Sequence, residues 1–292
     1  MRTDDLRSHG STASDISTIT QRANRLERRA SRSTTIVVSA LLFCLTTGLA
    51  DGVVEDGRRR YEYTVAEVNT AAENDLNLAL GPFKVAGKLN RETPELARVR
   101  SIFARMVNAA MQRSDIARSL DWAIFVPEGR FVEAYSRAGG KVVISSKFLE
   151  RYQPNNEELA FVIGHELAHV ICEHERMNLS AVWRINAPQQ LQARYAMEFL
   201  DTEPLVRAQL APVARLQERI ADTVGLALVV GAGIDPLKAL GFFDKSARDE
   251  YGGMFPDLHD SPVQRKASLK KNATLPSTIW GMLQPRGASC GL

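Results

Sequence analysis

The segment NNEELAFVIGHELAHVICEHE, residues 155–175, constrains the rest of the chain more than any other stretch. It follows Pro154, offers Asn155 or Asn156 as N-cap, and places Glu157 and Glu158 in a first turn where the helix dipole favours negative charge. From Leu159 to Ile171 it is apolar on nearly every face, and a water-soluble helix of that kind is a buried central helix. Two His and a Glu set into it would leave several costly polar groups to satisfy unless they bind something.

Those three residues, His165, Glu166 and His169, form the pattern HExxH. Two His four residues apart share one helical face and can grip one ion, while Glu166 reaches a metal-bound water from the side. With five His in 292 residues, chance gives this pattern in roughly 0.5% of chains of such composition. A catalytic zinc site also needs a third protein ligand and an open position for water. Glu218, or a His further along, could serve. Glu218 and Asp222 lie four apart in the otherwise apolar PVARLQERIADTVGLALVV, residues 212–230. They suit a ligand carboxylate accompanied by an acid that holds a ligand His in its tautomer; the alternative is a solvated face shared with Arg215 and Arg219. His174 competes poorly, since on a continuous helix it stands roughly 140° round from His169.

The rest of the chain supplies a body around this helix. Helical apolar spacing runs through residues 61–80 and 94–113, with Thr93 as N-cap and Pro94 at the first helical position. Short strands are expected at 121–127, 130–136 and 141–145, punctuated by Gly129, Gly139 and Gly140, giving a small antiparallel sheet. Residues 180–210 read as helix broken at Pro188 and Pro204, 212–230 as a second long apolar helix, and 235–250 and 261–271 as the last two. The fold class is therefore α+β, mostly helical.

Of the 37 Lys and Arg and 34 Asp and Glu, seven and four fall in residues 1–50, so the remainder is balanced at 30 of each. A neutral body argues against a nucleic-acid partner. Residues 1–33 read as a disordered basic tail, 51–60 as a linker and 61–285 as one domain. Between tail and linker, Thr34 to Ala50 is uncharged, with Arg25, Arg28, Arg29 and Arg32 before it, a positive-inside signal that puts the body across a membrane. Small residues at Gly48 and Ala50 suit cleavage, whereas retention would make the segment a membrane tether. The periplasm, or the periplasmic face of an inner membrane, is the expected location; the alternative is a mitochondrial presequence, against which the four acidic residues count. Three Cys exclude a disulfide framework, leaving only a Cys172–Cys290 bridge to consider. Nothing specifies an oligomeric state.

HELAH, then ERIAD some fifty residues on, then HDSPVQR, together resemble the gluzincin family of the CAAX prenyl protease and the bacterial peptidases HtpX and BepA, peptidase family M48. The similarity runs from about Arg98 to Leu269 and includes AGGKVVISSKFLE, like the family's Gly-Gly strand, and His174, where many members have a His. The resemblance implies a zincin-like metallopeptidase domain with one Zn2+ per chain. It also implies Glu218 as third ligand, Asp222 as the acid behind the ligands, and His259 with Arg265 as support. Two positions depart from the family pattern: Glu133 stands where Asn is usual, and Asp260 where Pro is usual after the His.

In the expected chemistry Glu166 is the general base and His259 donates to the oxyanion, unless His259 merely precedes a helix entry. Arg265 would pair with Asp222 or Glu218, or else be a surface charge. The strand of Lys141, Val142, Val143, Ile144 and Ser145 is expected to edge the cleft and add an extended polypeptide substrate, the alternative being an interior strand. The expected function is a zinc endopeptidase acting on unfolded or misassembled extracytoplasmic proteins; a non-catalytic holdase of the same fold is the alternative. A holdase has no need of Glu166, and this chain keeps it. An aminopeptidase would need a feature recognising a free amino terminus, and no such motif is present.

Overall fold

The computed structural model describes residues 61–129, 131–186, 191–249 and 260–273. The basic tail, the apolar segment 34–50, the linker, Pro188, His259 and Cys290 lie outside the described residues. So do the expectations that rest on them. Among the described residues, no helix is long and apolar enough to cross a membrane.

Helix α1 (Val65–Val85) starts at a capping box, in which Thr64 accepts from the Glu67 amide and the Glu67 carboxylate accepts from the Thr64 amide. Helix α2 (Pro94–Met111) is capped by Thr93, as its sequence requires, and a short α3 (Asp115–Ser119) leads to the sheet. Strands β1 (Ala123–Phe125), β2 (Ala134–Arg137) and β3 (Lys141–Ile144) follow.

The sheet departs from expectation. It is mixed, with order β1-β3-β2: β3 runs parallel to β1 and antiparallel to β2. The β2–β3 hairpin turns through Gly139 and Gly140, both in the left-handed region at φ 81° and 86°. It folds β3 back into the space between its neighbours. Lys141 to Ile144 is thus the interior strand, and the expectation of a cleft-edging KVVIS is corrected. Val142, Val143 and Ile144 are at most 1% exposed, as a strand covered on both faces must be. Ser145 has left the strand to cap the next helix, accepting from the Phe148 amide while its hydroxyl donates to the Phe131 carbonyl.

After α4 (Ser146–Tyr152) comes the central helix α5 (Asn156–Ile171). Asn155 and Glu158 close a second capping box at 2.8 Å in each direction. The helix is buried on all sides. It stops at Cys172 because Glu173 turns left-handed, at φ 54° and ψ 33°. Then come α6 (His174–Ile185), α7 (Ala193–Thr202) and α8 (Pro204–Gly231).

Helix α8 begins at Pro204, not Pro212, and carries Pro212 inside it. An interior Pro deprives one carbonyl of its donor. Here Pro212 and Ala208, whose carbonyl loses its donor, both lie on an exposed part of the helix. The single helix expected over 235–250 is split into α9 (Pro236–Ala239) and α10 (Phe242–Ser246) at Gly241. A Cβ on Gly241 would stand 2.8 Å from a Glu158 carboxylate oxygen. Helix α11 (Pro262–Ala273) closes the described chain.

Two apolar clusters flank the central helix. One joins α2, the sheet, α5 and the end of α8 through Val99, Met106, Ile144, Ile163, Leu167 and Leu228; the other joins α1, α6, α7 and the start of α8. Where α5 meets α8 the crossing is at glycines. A Cβ on Gly164 would lie 2.8 Å from the Gly225 carbonyl oxygen, and one on Gly225 2.7 Å from the His165 amide. This close approach brings Asp222 and Glu218, one and two turns before Gly225, onto the imidazoles of α5.

Candidate metal centre

His165, His169 and Glu218 offer three ligand atoms within 4.8 Å of one another. The two imidazoles face each other with Nε2 atoms 3.1 Å apart. Glu218 spans them, one carboxylate oxygen 3.2 Å from His165 Nε2 and the other 3.4 Å from His169 Nε2. Behind this trio, Asp222 lies 3.0 Å from His165 Nδ1. Arg265 grips Asp222 with two bonds, Nε to Oδ2 at 2.8 Å and Nη2 to Oδ1 at 2.6 Å. Arg219, the neighbour of Glu218, points the other way to a forked pair with Asp260. The helix therefore divides its charges, with Glu218 and Asp222 facing inward and Arg219 outward. The departure at Asp260 is what gives Arg219 its partner.

Electrostatics at the trio call for a cation. Burial works against charge on His165, but Asp222 and Glu218 outweigh it and lift the imidazole to about 10, so the metal-free chain holds a proton there. Burial likewise pushes Asp222 up, and the bonds from Arg265 and His165 more than reverse it, keeping the carboxyl below its usual range. When the second proton on the His165 imidazole leaves, Asp222 retains the one on Nδ1, so Nε2 turns its lone pair towards Glu218 and His169. Two such nitrogens and a carboxylate converging at hydrogen-bond distance is a donor set for zinc: two imidazoles and one carboxylate. The residues present fit that ion.

Glu166 follows the first ligand and is 8% exposed. Its Oε2 accepts from the Ser136 hydroxyl at 3.0 Å, which ties the base to strand β2. Beyond Ser136, a partly buried ionic group fixes the end of that strand. Arg137 pairs with Asp75 and Glu175, and the Glu175 carboxylate accepts from the Ala138 amide at 2.6 Å. Burial raises the Glu175 carboxyl above its ordinary range despite Arg137.

The structure thus brings together His165, Glu166, His169, Glu218, Asp222 and Arg265 from three helices. It does not bring Lys141 to Ser145 to the cleft; β2 stands there instead. Two polar neighbours lie outside the expected set of site residues. Ser136 had no local signal. A continuous helix would turn His174 away from His169, whereas the break at Glu173 swings its ring back, Nδ1 to Nδ1 at 2.9 Å.

The sequence model of peptidase family M48 matches residues 95–273. The chain is similar to the mitochondrial metalloendopeptidase OMA1 of Arabidopsis thaliana, 28% identical over 150 residues that make up 51% of this chain and 30% of that protein. It is also similar to the mitochondrial metalloendopeptidase OMA1 of Saccharomyces cerevisiae, 26% identical over 201 residues, 61% of this chain and 56% of that protein. The matched region therefore spans 30% and 56% of these curated relatives.

Proposed function

Since the chain belongs to peptidase family M48, we propose that it is a zinc-dependent endopeptidase that hydrolyses peptide bonds in unfolded or misassembled proteins. The observation that carries this reading is the convergence of His165, His169 and Glu218 with Glu166 beside them. Zinc held by those three ligands supplies Lewis acidity, lowering the pKa of water it polarises to about 7 and drawing electrons from the scissile carbonyl.

The chain's own residues do the rest. Glu166 takes a proton from the attacking water as its oxygen bonds the carbonyl carbon. The same carboxylate returns that proton to the amine nitrogen as the carbon–nitrogen bond breaks. The Ser136 hydroxyl holds one Glu166 oxygen in place. Asp222 keeps the proton of His165 on Nδ1, and Arg265 keeps Asp222 ionised.

Strand β2 is the natural place for an extended substrate. Among the described residues it pairs on one side only, with β3. The Ser145 amide donates to the Glu133 carbonyl, so the antiparallel alternation turns the backbone groups of Tyr135 inward and those of Ala134 and Ser136 outward. Outward-facing amides and carbonyls next to Glu166 can add a peptide as one more strand. Main-chain pairing reads little sequence, and folded proteins have those groups already engaged, so the reading favours unfolded chains.

The Arg-flanked segment 34–50 supports a body lying across a membrane from the amino-terminal tail. Both curated relatives are named mitochondrial, which favours the mitochondrial form of that placement. The periplasmic form finds no support in the comparisons.

The test is Glu166→Gln in the purified full chain. Wild-type protein should carry one zinc and degrade casein, and the variant should keep the zinc and lose hydrolysis. Unimpaired cleavage by the variant removes the general base, and zinc binding without cleavage by the wild type favours the holdase.

A further inference from the structure

The two ligand imidazoles are held from behind in different ways. His165 Nδ1 meets an aspartate that is itself gripped by an arginine. His169 Nδ1 meets no carboxylate in the described hydrogen bonds; it meets the Nδ1 of His174 at 2.9 Å. His174 is 1% exposed and opens helix α6 immediately after the left-handed Glu173.

A hydrogen bond between two ring nitrogens needs one donor and one acceptor. For His169 to offer a lone pair from Nε2, its proton must sit on Nδ1, and that N–H then points at His174. His174 must accept with a bare Nδ1, which leaves its own proton on Nε2. Were the direction reversed, His174 would donate to His169 Nδ1. The His169 proton would then lie on Nε2, between His165 and Glu218, where a metal could not be held.

We infer that His174 is a positioning residue for the metal site, a neutral acceptor that fixes the His169 tautomer and ring angle so that Nε2 faces the ion. The inference rests on the metal-site reading above. It also accounts for the break after Ile171: on an unbroken helix His174 would face away from His169. The left-handed turn at Glu173, which no glycine or proline encodes, is what returns the ring to its neighbour.

Two substitutions in the full chain separate positioning from mere packing. His174→Leu fills the space without an acceptor, whereas His174→Asn puts an amide oxygen close to where Nδ1 stands. In competition with a chromophoric zinc chelator, His174→Leu should bind zinc roughly 10–100-fold more weakly, and His174→Asn should recover to within about threefold of wild type. A third measurement needs no variant: in the zinc-loaded, 15N-labelled protein, a scalar coupling across the hydrogen bond should join His169 Nδ1 and His174 Nδ1. A His174→Leu protein that folds and binds zinc as wild type does, a folded His174→Asn no better than His174→Leu, or absence of the coupling overturns the inference. If His174→Leu does not fold, the coupling alone decides. Failure of the wild type to bind zinc would instead overturn the endopeptidase reading, and the coupling in the metal-free protein would still report on the His pair.

Discussion

Substituting Gly225 by alanine tests whether the site depends on the close crossing of α5 and α8. The added Cβ would stand 2.7 Å from the His165 amide nitrogen and 2.9 Å from two further backbone atoms of α5. No rotamer change relieves a contact with backbone. Ordinary contact begins near 3.4 Å, so the helices must part by about 0.7 Å in a core that packs like a crystal. Overpacking of this kind costs about 1–3 kcal/mol, and the better helix propensity of Ala returns about 1 kcal/mol of it. With backbone on both sides the upper end applies, leaving a net loss of about 2 kcal/mol, or roughly 4–8 °C in Tm at this domain size. The same displacement carries Asp222 from 3.0 Å to about 3.7 Å from His165 Nδ1, beyond hydrogen-bond range. Losing such a partner weakens metal binding by about 10–100-fold. Thermal unfolding of the metal-free protein and zinc competition read the two effects separately. A Gly225→Ala protein as stable as wild type, with unchanged zinc affinity, would refute the claim that this crossing sets the site.

Three further outcomes are expected. Ala134→Pro removes an outward amide from strand β2 without touching the β3 ladder, so it should fold, bind zinc and cleave casein with a raised KM, whereas an unchanged KM would place the substrate elsewhere. Burial and the hydrogen bond to Asp249 hold the Tyr152 phenol up to about 12; its contribution to stability is complete below pH ~10, the free phenol value, and is lost as pH rises through about 12. Urea unfolding across that window should show Tyr152→Phe losing less stability than wild type, and equal losses would sink the assignment. Arg265→Ala leaves Asp222 buried without its arginine, which costs about 3–5 kcal/mol in comparable buried pairs; a calorimetric Tm within experimental error of wild type would contradict the charge chain drawn here.

Local chemistry made much of this site legible. The central helix is announced by Asn155, Glu158 and an apolar run, and the structure caps it with those residues. Glu218 and Asp222 are four apart on an apolar helix, so their shared direction follows from the helical period; that they meet His165 and Arg265 needed the fold. What the sequence hides is non-local or strained. The order of three short strands depends on which gap the hairpin fills, and the short apolar run in KVVIS does not by itself distinguish an edge from a centre. Pro212 signals a helix start, yet solvent on its side of α8 lets the helix run through it. The left-handed Glu173 carries no Gly, so the turn that brings His174 to His169 has no local signature.

The central claim is the ligand set, and X-ray absorption at the zinc edge of the loaded full chain tests it most directly. The structure calls for two imidazole nitrogens and one carboxylate oxygen from the protein, at about 2.0–2.2 Å from the zinc. Glu218→Ala should remove the carboxylate contribution and weaken binding while leaving both imidazoles. A sulfur scatterer at about 2.3 Å, or a first shell that Glu218→Ala leaves unchanged, would contradict the account.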